Sequence, residues 1–140
     1  MNLKDSELPG LVFHHIGVLV ENIDDSILHY SEIFGKKNIS GIVNESSQKV
    51  KTCLVKISPE TYIELVQPTH SDSSVNNLLK KRISYYHLAY KVKNIQRAVD
   101  RLCALNYKPL EYFDSCTFGG KKCIFLFTPE AHLIELIEEE

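Results

Sequence analysis

The chain reads itself twice. Setting His15 over His87 brings Val20 onto Val92, Asn22 onto Asn94 and Ile23 onto Ile95, all at an offset of 72. Cys53, Pro59 and Glu60 fall on Cys123, Pro129 and Glu130 at an offset of 70, and Ile63-Glu64-Leu65 lies over Ile134-Glu135-Leu136 one residue further on. A period near 70 is too long for a solenoid unit, which runs to roughly 20–50 residues. The pattern is that of a duplicated half-domain.

Each copy reads as βαβββ. Residues 12–20 and 85–92 carry the apolar, β-branched and aromatic side chains of strands. Asn22 and Asn94 stand as N-caps ahead of helical periodicity. Ile27, Tyr30, Ile33 and Phe34 form one apolar stripe, stopped by Gly35; Ile95, Ala98, Val99, Leu102 and Leu105 form the other. Three strands follow in each copy, expected near 39–43, 49–57 and 61–67, and again near 109–113, 121–127 and 132–138. Pro59 and Pro129 belong to turns, because proline is excluded from a central strand. Residues 68–84 join the copies, with a short helix expected at 75–81. Neither copy closes its sheet alone. The expected fold is therefore α+β: two pseudo-symmetric βαβββ modules, about 12–68 and 84–138, packed into one domain spanning 1–140.

Strand alternation then singles out four residues. Glu64 shares a face with Tyr62 and Val66, and Glu135 with Leu133 and Ile137, so each is the lone charge on an apolar face. His15 shares a face with Phe13, Gly17 and Leu19, and His87 with Tyr85 and Ala89. An uncompensated carboxylate in such a setting costs several kcal/mol, so it must be paired, protonated or bound to a cation. Taken singly, His15 reads as a hydrogen-bonded core histidine, and either glutamate as an edge-strand charge reaching water. Recurrence of the His and Glu at equivalent positions favours a metal site. Two imidazoles and two carboxylates suit one divalent ion, Co, Ni, Zn, Mn or Fe, with positions left for substrate. His14 has the opposite parity and reads as a surface or interface residue.

Composition excludes other classes. A net charge of -2, with no basic run longer than Lys80-Lys81-Arg82, gives no electrostatic pull towards nucleic acid. No run of 18 apolar residues exists to span a membrane, and residues 1–9 lack a signal peptide's apolar region, so a cytoplasmic protein is expected. Cys53, Cys103, Cys116 and Cys123 show no C-x-x-C spacing and read as reduced, mostly buried thiols. Phe118-Gly119-Gly120-Lys121-Lys122 reads as a hairpin turn with solvated lysines, or as a cradle for phosphates. Tyr62, Tyr85 and Tyr90 line a pocket or fill the core, and Glu138-Glu139-Glu140 reads as a solvated end.

The same residues carry a resemblance. The run from His14-His15-Ile16-Gly17 to Ile23, Tyr62-Ile63-Glu64-Leu65, Tyr86-His87-Leu88-Ala89 and Leu133-Ile134-Glu135-Leu136 resemble the vicinal oxygen chelate superfamily, which includes glyoxalase I, methylmalonyl-CoA epimerase, bleomycin-resistance proteins and extradiol dioxygenases. Asp72 to Arg82, and Gly119 to Leu126, are most similar to methylmalonyl-CoA epimerase. The resemblance implies paired βαβββ modules, frequent homodimers, and metal-ligand roles for His15, Glu64, His87 and Glu135. Two departures stand out. Some epimerases place a second catalytic carboxylate on the strand at 49–57, which here has no Asp or Glu, and the turn Thr128-Pro129-Glu130-Ala131 is shorter than theirs.

The implied reaction is epimerisation of an acyl thioester such as methylmalonyl-CoA. The metal stabilises the developing enolate charge, Glu135 is the leading base, and Glu64 at the symmetric position is the other. The implied alternatives are a glyoxalase I-like lactoylglutathione lyase acting on a hemithioacetal, and a non-catalytic small-molecule-binding or resistance protein.

Overall fold

A computed structural model of the chain describes residues 10–139. The expectation for residues 1–9, like that for Glu140, lies outside them. The first half comprises β1 (Val12–Leu19), α1 (Ile23–Phe34), β2 (Val43–Glu45), β3 (Val50–Ser58) and β4 (Thr61–Pro68). A linking helix, α2 (Asn76–Lys80), leads to β5 (Tyr85–Val92), α3 (Ile95–Ala104), β6 (Lys108–Ser115), β7 (Lys121–Phe127) and β8 (Leu133–Glu138). The α+β expectation with two βαβββ units stands.

All eight strands form one sheet in the order β2-β3-β4-β1-β5-β8-β7-β6. β1 pairs with β4, and β5 with β8, in parallel; the halves meet where β1 and β5 pair antiparallel. Although β2 and β6 occupy opposite ends of this order, Ser115 Oγ at the end of β6 donates to Glu45 Oε2 at the end of β2 at 2.6 Å. The sheet therefore curls until its edges touch.

The helices start as their sequences dictate. Asn22 and Asn94 are N-caps whose side-chain oxygens accept from Asp25 N and Arg97 N. Gly35 ends α1 at a φ of 87°, a backbone conformation that glycine adopts without Cβ strain. α1 packs across β3 and β4, and α3 across β6 and β8. Beneath α3 lies a core of Ile95, Ala98, Leu102, Ile124, Leu126 and Leu136; beneath α1, Ile23, Cys53, Val55 and Leu65. Each fully buried Leu, Ile or Val among them contributes about 1.5–3 kcal/mol.

Three expectations need correcting. Residues 39–43 do not form the second strand: Ile39 makes only an isolated bridge to Val55, and β2 begins at Val43. At Ser40 the ladder to β3 is interrupted by a side chain: Ser40 N donates to Leu54 O, but Leu54 N donates to Ser40 Oγ in place of a backbone carbonyl. Glu138 is not part of a solvated end, since its Oε2 accepts from Ile95 N at the start of α3. Cys116 is exposed and Cys103 only partly buried, while Cys53 and Cys123 are buried; all four are free thiols. Among the described residues no helix is long and apolar enough to cross a membrane.

Candidate metal centre

The two central strands and their parallel neighbours bring four side chains to one point. His15 leaves β1, Glu64 β4, His87 β5 and Glu135 β8, all buried, with relative exposures of 0, 5, 1 and 3%. His15 Nε2 lies 3.0 Å from His87 Nε2. Glu64 Oε1 is 3.6 Å from the first nitrogen and 3.5 Å from the second, and Glu135 Oε1 is 3.4 and 3.3 Å from them. One ligand atom from each of the four lies within 4.8 Å of all the others. The sequence repeat predicts this convergence, and the structure brings all four together.

These spacings fit a cation. Ligand atoms about 2.0–2.2 Å from one ion stand roughly 3.0 Å apart at right angles and about 3.4 Å apart at tetrahedral angles. The hydrogen bonding makes the same point: Glu135 Oε1 is buried without any hydrogen-bond partner. Glu135 Oε1 is close to both imidazoles in distance but off in direction, as expected of atoms aimed at a common centre rather than at each other.

Electrostatics tie the four together. Burial alone would push the His15 imidazole down, but the Glu64 carboxylate, helped by Glu135, overrides it and raises His15 to about 9. Burial would likewise push the Glu135 carboxyl up, yet the adjacent His15 and His87 imidazoles, 3.4 and 3.3 Å away, hold it below the usual carboxylate range. A proton thus substitutes for part of a cation's charge in the metal-free protein.

The sequence profile of the Glyoxalase/Bleomycin resistance protein/Dioxygenase superfamily matches residues 14–127. The chain belongs to this superfamily. Its fold is shared with a hypothetical protein of Bacillus halodurans C-125, at 25% identity and a TM-score of 0.78 over 94% of this chain and 96% of that one. Methylmalonyl-CoA epimerase from Mycobacterium tuberculosis is similar at 22% identity and a TM-score of 0.80, covering 99% and 93%. The Streptomyces coelicolor epimerase, in complex with 2-nitronate-propionyl-CoA, is similar at 21% and 0.79, covering 93% and 99%. No curated protein matches the sequence itself.

This member of the superfamily has features around its cluster that strand alternation missed. His14 is buried rather than a surface residue. The β1–β5 register slips between Phe13 and His15, so this bulge turns two successive side chains inward and leaves Phe13 at the surface. His14 Nδ1 lies 2.8 Å from His15 Nδ1, and its ring stacks on Tyr62 with centroids 4.8 Å apart. Burial, reinforced by the charge of His15, lowers His14 to about 4, so it is neutral at pH 7.

Glu45 was also missed. Its Oε2 accepts from Ser115 Oγ, Thr117 N and Thr117 Oγ1, and its Oε1 from Cys116 N. With both oxygens committed, Glu45 clasps the turn that carries Phe118, whose ring stacks on His15 at 5.4 Å. The only available signal is that Glu45 falls on Ser115 at the repeat offset of 70. Gly119 and Gly120, at φ 69° and 84°, form the hairpin reading of that segment, and Lys122 sits 4.5 Å over the Tyr112 ring.

Beside the cluster a narrow cleft bounded by Glu45, Glu64, His87, Tyr86, Phe125 and Glu135 opens towards a cavity of about 520 Å³. Tyr85 lines that cavity, as does Tyr86, which the sequence reading passed over; Tyr62 packs on His14 and Tyr90 on Phe13.

Proposed function

We propose that the chain is a metal-dependent isomerase that removes and returns the α-proton of an acyl thioester, with methylmalonyl-CoA as the reference substrate. The observation that carries this reading is the meeting of two carboxylates and two imidazoles at one buried point beside a cavity large enough for a substrate. His15, Glu64, His87 and Glu135 would hold a divalent ion such as Co, Ni, Zn, Mn or Fe. When bound, such an ion supplies Lewis-acid stabilisation to charge developing on the oxygens that flank the α-carbon.

The protein's own contribution is proton transfer. Glu135 takes the α-proton on one face and Glu64, its counterpart across the pseudo-dyad, returns one on the other. A carboxylate held as low as Glu135 is a weak base, so its turnover depends on loosening its contacts to the imidazoles. The fold shared with two methylmalonyl-CoA epimerases supports the reading.

A glyoxalase I-like lyase would use the same four residues. It ranks second because the solved structures that share this fold include methylmalonyl-CoA epimerases. The test is to load the protein with Co or Ni and incubate it with methylmalonyl-CoA in deuterated water. Exchange of the α-hydrogen is then followed by NMR, with methylglyoxal plus glutathione in parallel. Exchange that survives Glu135→Gln undiminished removes the base assignment; product from the hemithioacetal alone replaces the isomerase with the lyase.

A further inference from the structure

We propose that the cavity beside the metal cluster is a hydrocarbon pocket, and that the true substrate carries an uncharged alkyl or aryl substituent much larger than a methyl group. This rests on the thioester reading of the cluster. Leu78, Ile83, Tyr85, Phe127 and Leu133 line the cavity together with the polar Gln48, Ser74, Asn77 and His132, and none of its lining residues is Asp, Glu, Lys or Arg. A charged group placed here would meet no Lys, Arg, Asp or Glu partner. Nucleotide phosphates and peptide carboxylates therefore lie elsewhere.

Size and position choose the occupant. About 520 Å³ falls within the range of small-molecule pockets, roughly 300–1,000 Å³, and far exceeds the share of liquid volume of one water, about 30 Å³. Gln48, Tyr86 and Phe125 line both this cavity and the cleft at the ligands. A substituent on the reacting carbon that reaches the cavity must pass these three side chains. Ile83, Tyr85 and Phe127, 40, 47 and 40% exposed, would be covered by such a chain.

The test uses 2-methyl-, 2-butyl- and 2-benzylmalonyl half-thioesters of N-acetylcysteamine, which lack CoA's charges, with α-hydrogen exchange followed on the metal-loaded protein. Burial is worth roughly a fourfold gain per methylene, so kcat/KM should rise at least tenfold from methyl to butyl. Leu133→Trp, which fills the cavity, should erase that gain while leaving metal content unchanged. Uptake of the uncharged dye N-phenyl-1-naphthylamine gives a readout independent of activity: one equivalent bound, at least tenfold weaker in Leu133→Glu. A flat or falling kcat/KM with methyl exchange intact, or absence of dye binding, overturns the proposal. So does sedimentation showing a dimer that Leu133→Glu dissociates, because the surface is then an interface between copies. Dye binding lost in Leu133→Glu, with no thioester exchanged, upholds the hydrocarbon pocket and removes the isomerase reading instead.

A separate observation carries a second inference: the geometry points to His14 as a positioning residue for His15. Two ring nitrogens 2.8 Å apart require one proton between them. With His15 Nε2 turned to the cluster, His15 Nδ1–H donates and His14 Nδ1 accepts, which fixes tautomer and ring plane together. Tyr62 on one side and the edge of Phe118 on another hold the acceptor in place. His14→Phe should weaken Co(II) binding about 10–100-fold and shift the visible bands of the Co(II) protein; His14→Asn, which keeps an acceptor near Nδ1, should recover most of both. Unchanged affinity and spectrum in His14→Phe overturn the inference, as does a folded His14→Asn no better than His14→Phe.

Discussion

In the half that ends at Pro68, helix α1 buries one residue, Ile23, and leaves Leu28 and Ile33 64 and 57% exposed. In the half that begins at Tyr85, α3 buries Ile95, Ala98, Val99 and Leu102. The edge strands differ as much, three residues in β2 against eight in β6. At the seam the halves match closely. His15 faces Ala89 and His87 faces Gly17 across the β1–β5 ladder, and Gln67 and Glu138 each accept the N–H that opens the helix of their own half. The contrast shows where the duplication is constrained. Four ligands meet only if both halves present His and Glu at the same height, whereas a helix on the outer face need only cover apolar surface.

The largest expected effect probes whether the halves are chemically equal. Glu135→Gln and Glu64→Gln should each slow α-hydrogen exchange about 10²–10⁴-fold. Equal losses assign matched roles, and an unequal pair identifies the half that takes the proton. The packing contrast comes next. Leu102→Ala under α3 should cost about 2–5 kcal/mol, and Leu28→Ala on α1 less than about 0.5 kcal/mol, in urea melts. Similar losses at both would erase the asymmetry.

The third prediction concerns the mismatched pair at the seam. A Cβ on Gly17 would lie 2.3 Å from His87 Cε1 and 2.4 Å from its Nδ1, so Gly17→Ala must displace that imidazole. Chelator competition should show metal binding weakened about 10–100-fold. Ala89→Gly, the reciprocal change, should cost roughly 0.5–1 kcal/mol of stability and spare the metal.

The smallest effect is a slope. His15 is raised to about 9 in the metal-free protein, so its stabilising share is complete below its ordinary 6.5 and is lost as pH climbs through 9. A metal must displace that proton, and affinity should climb about tenfold per pH unit up to about 9 and then level. An affinity independent of pH between 7 and 8 would show that His15 holds no proton in the metal-free site.

Much of this was legible in the chain. Spacing alone located both N-caps, the last strand of each half and all four cluster residues, because period-2 alternation and the offset near 71 are properties of local sequence. His14 escaped because alternation fails at a bulge, and the bulge depends on a partner strand about 75 residues away. Glu45 escaped for a related reason: its partners at Ser115, Cys116 and Thr117 become neighbours only when the sheet curls. β2 was misplaced because an edge strand with one neighbour carries a weak pattern. The cavity has no sequence signature at all, since α2, β5, β7 and the turn before β8 each contribute only a wall.

The antiparallel join between β1 and β5 gives the cluster a mechanical role. Each half alone owns one imidazole and one carboxylate, a weak bidentate grip; all four exist only when the seam is zipped. A tightly held cation would therefore act as a rivet through the middle of the sheet, and its loss would be felt first as faster hydrogen–deuterium exchange at the backbone amides of those two central strands.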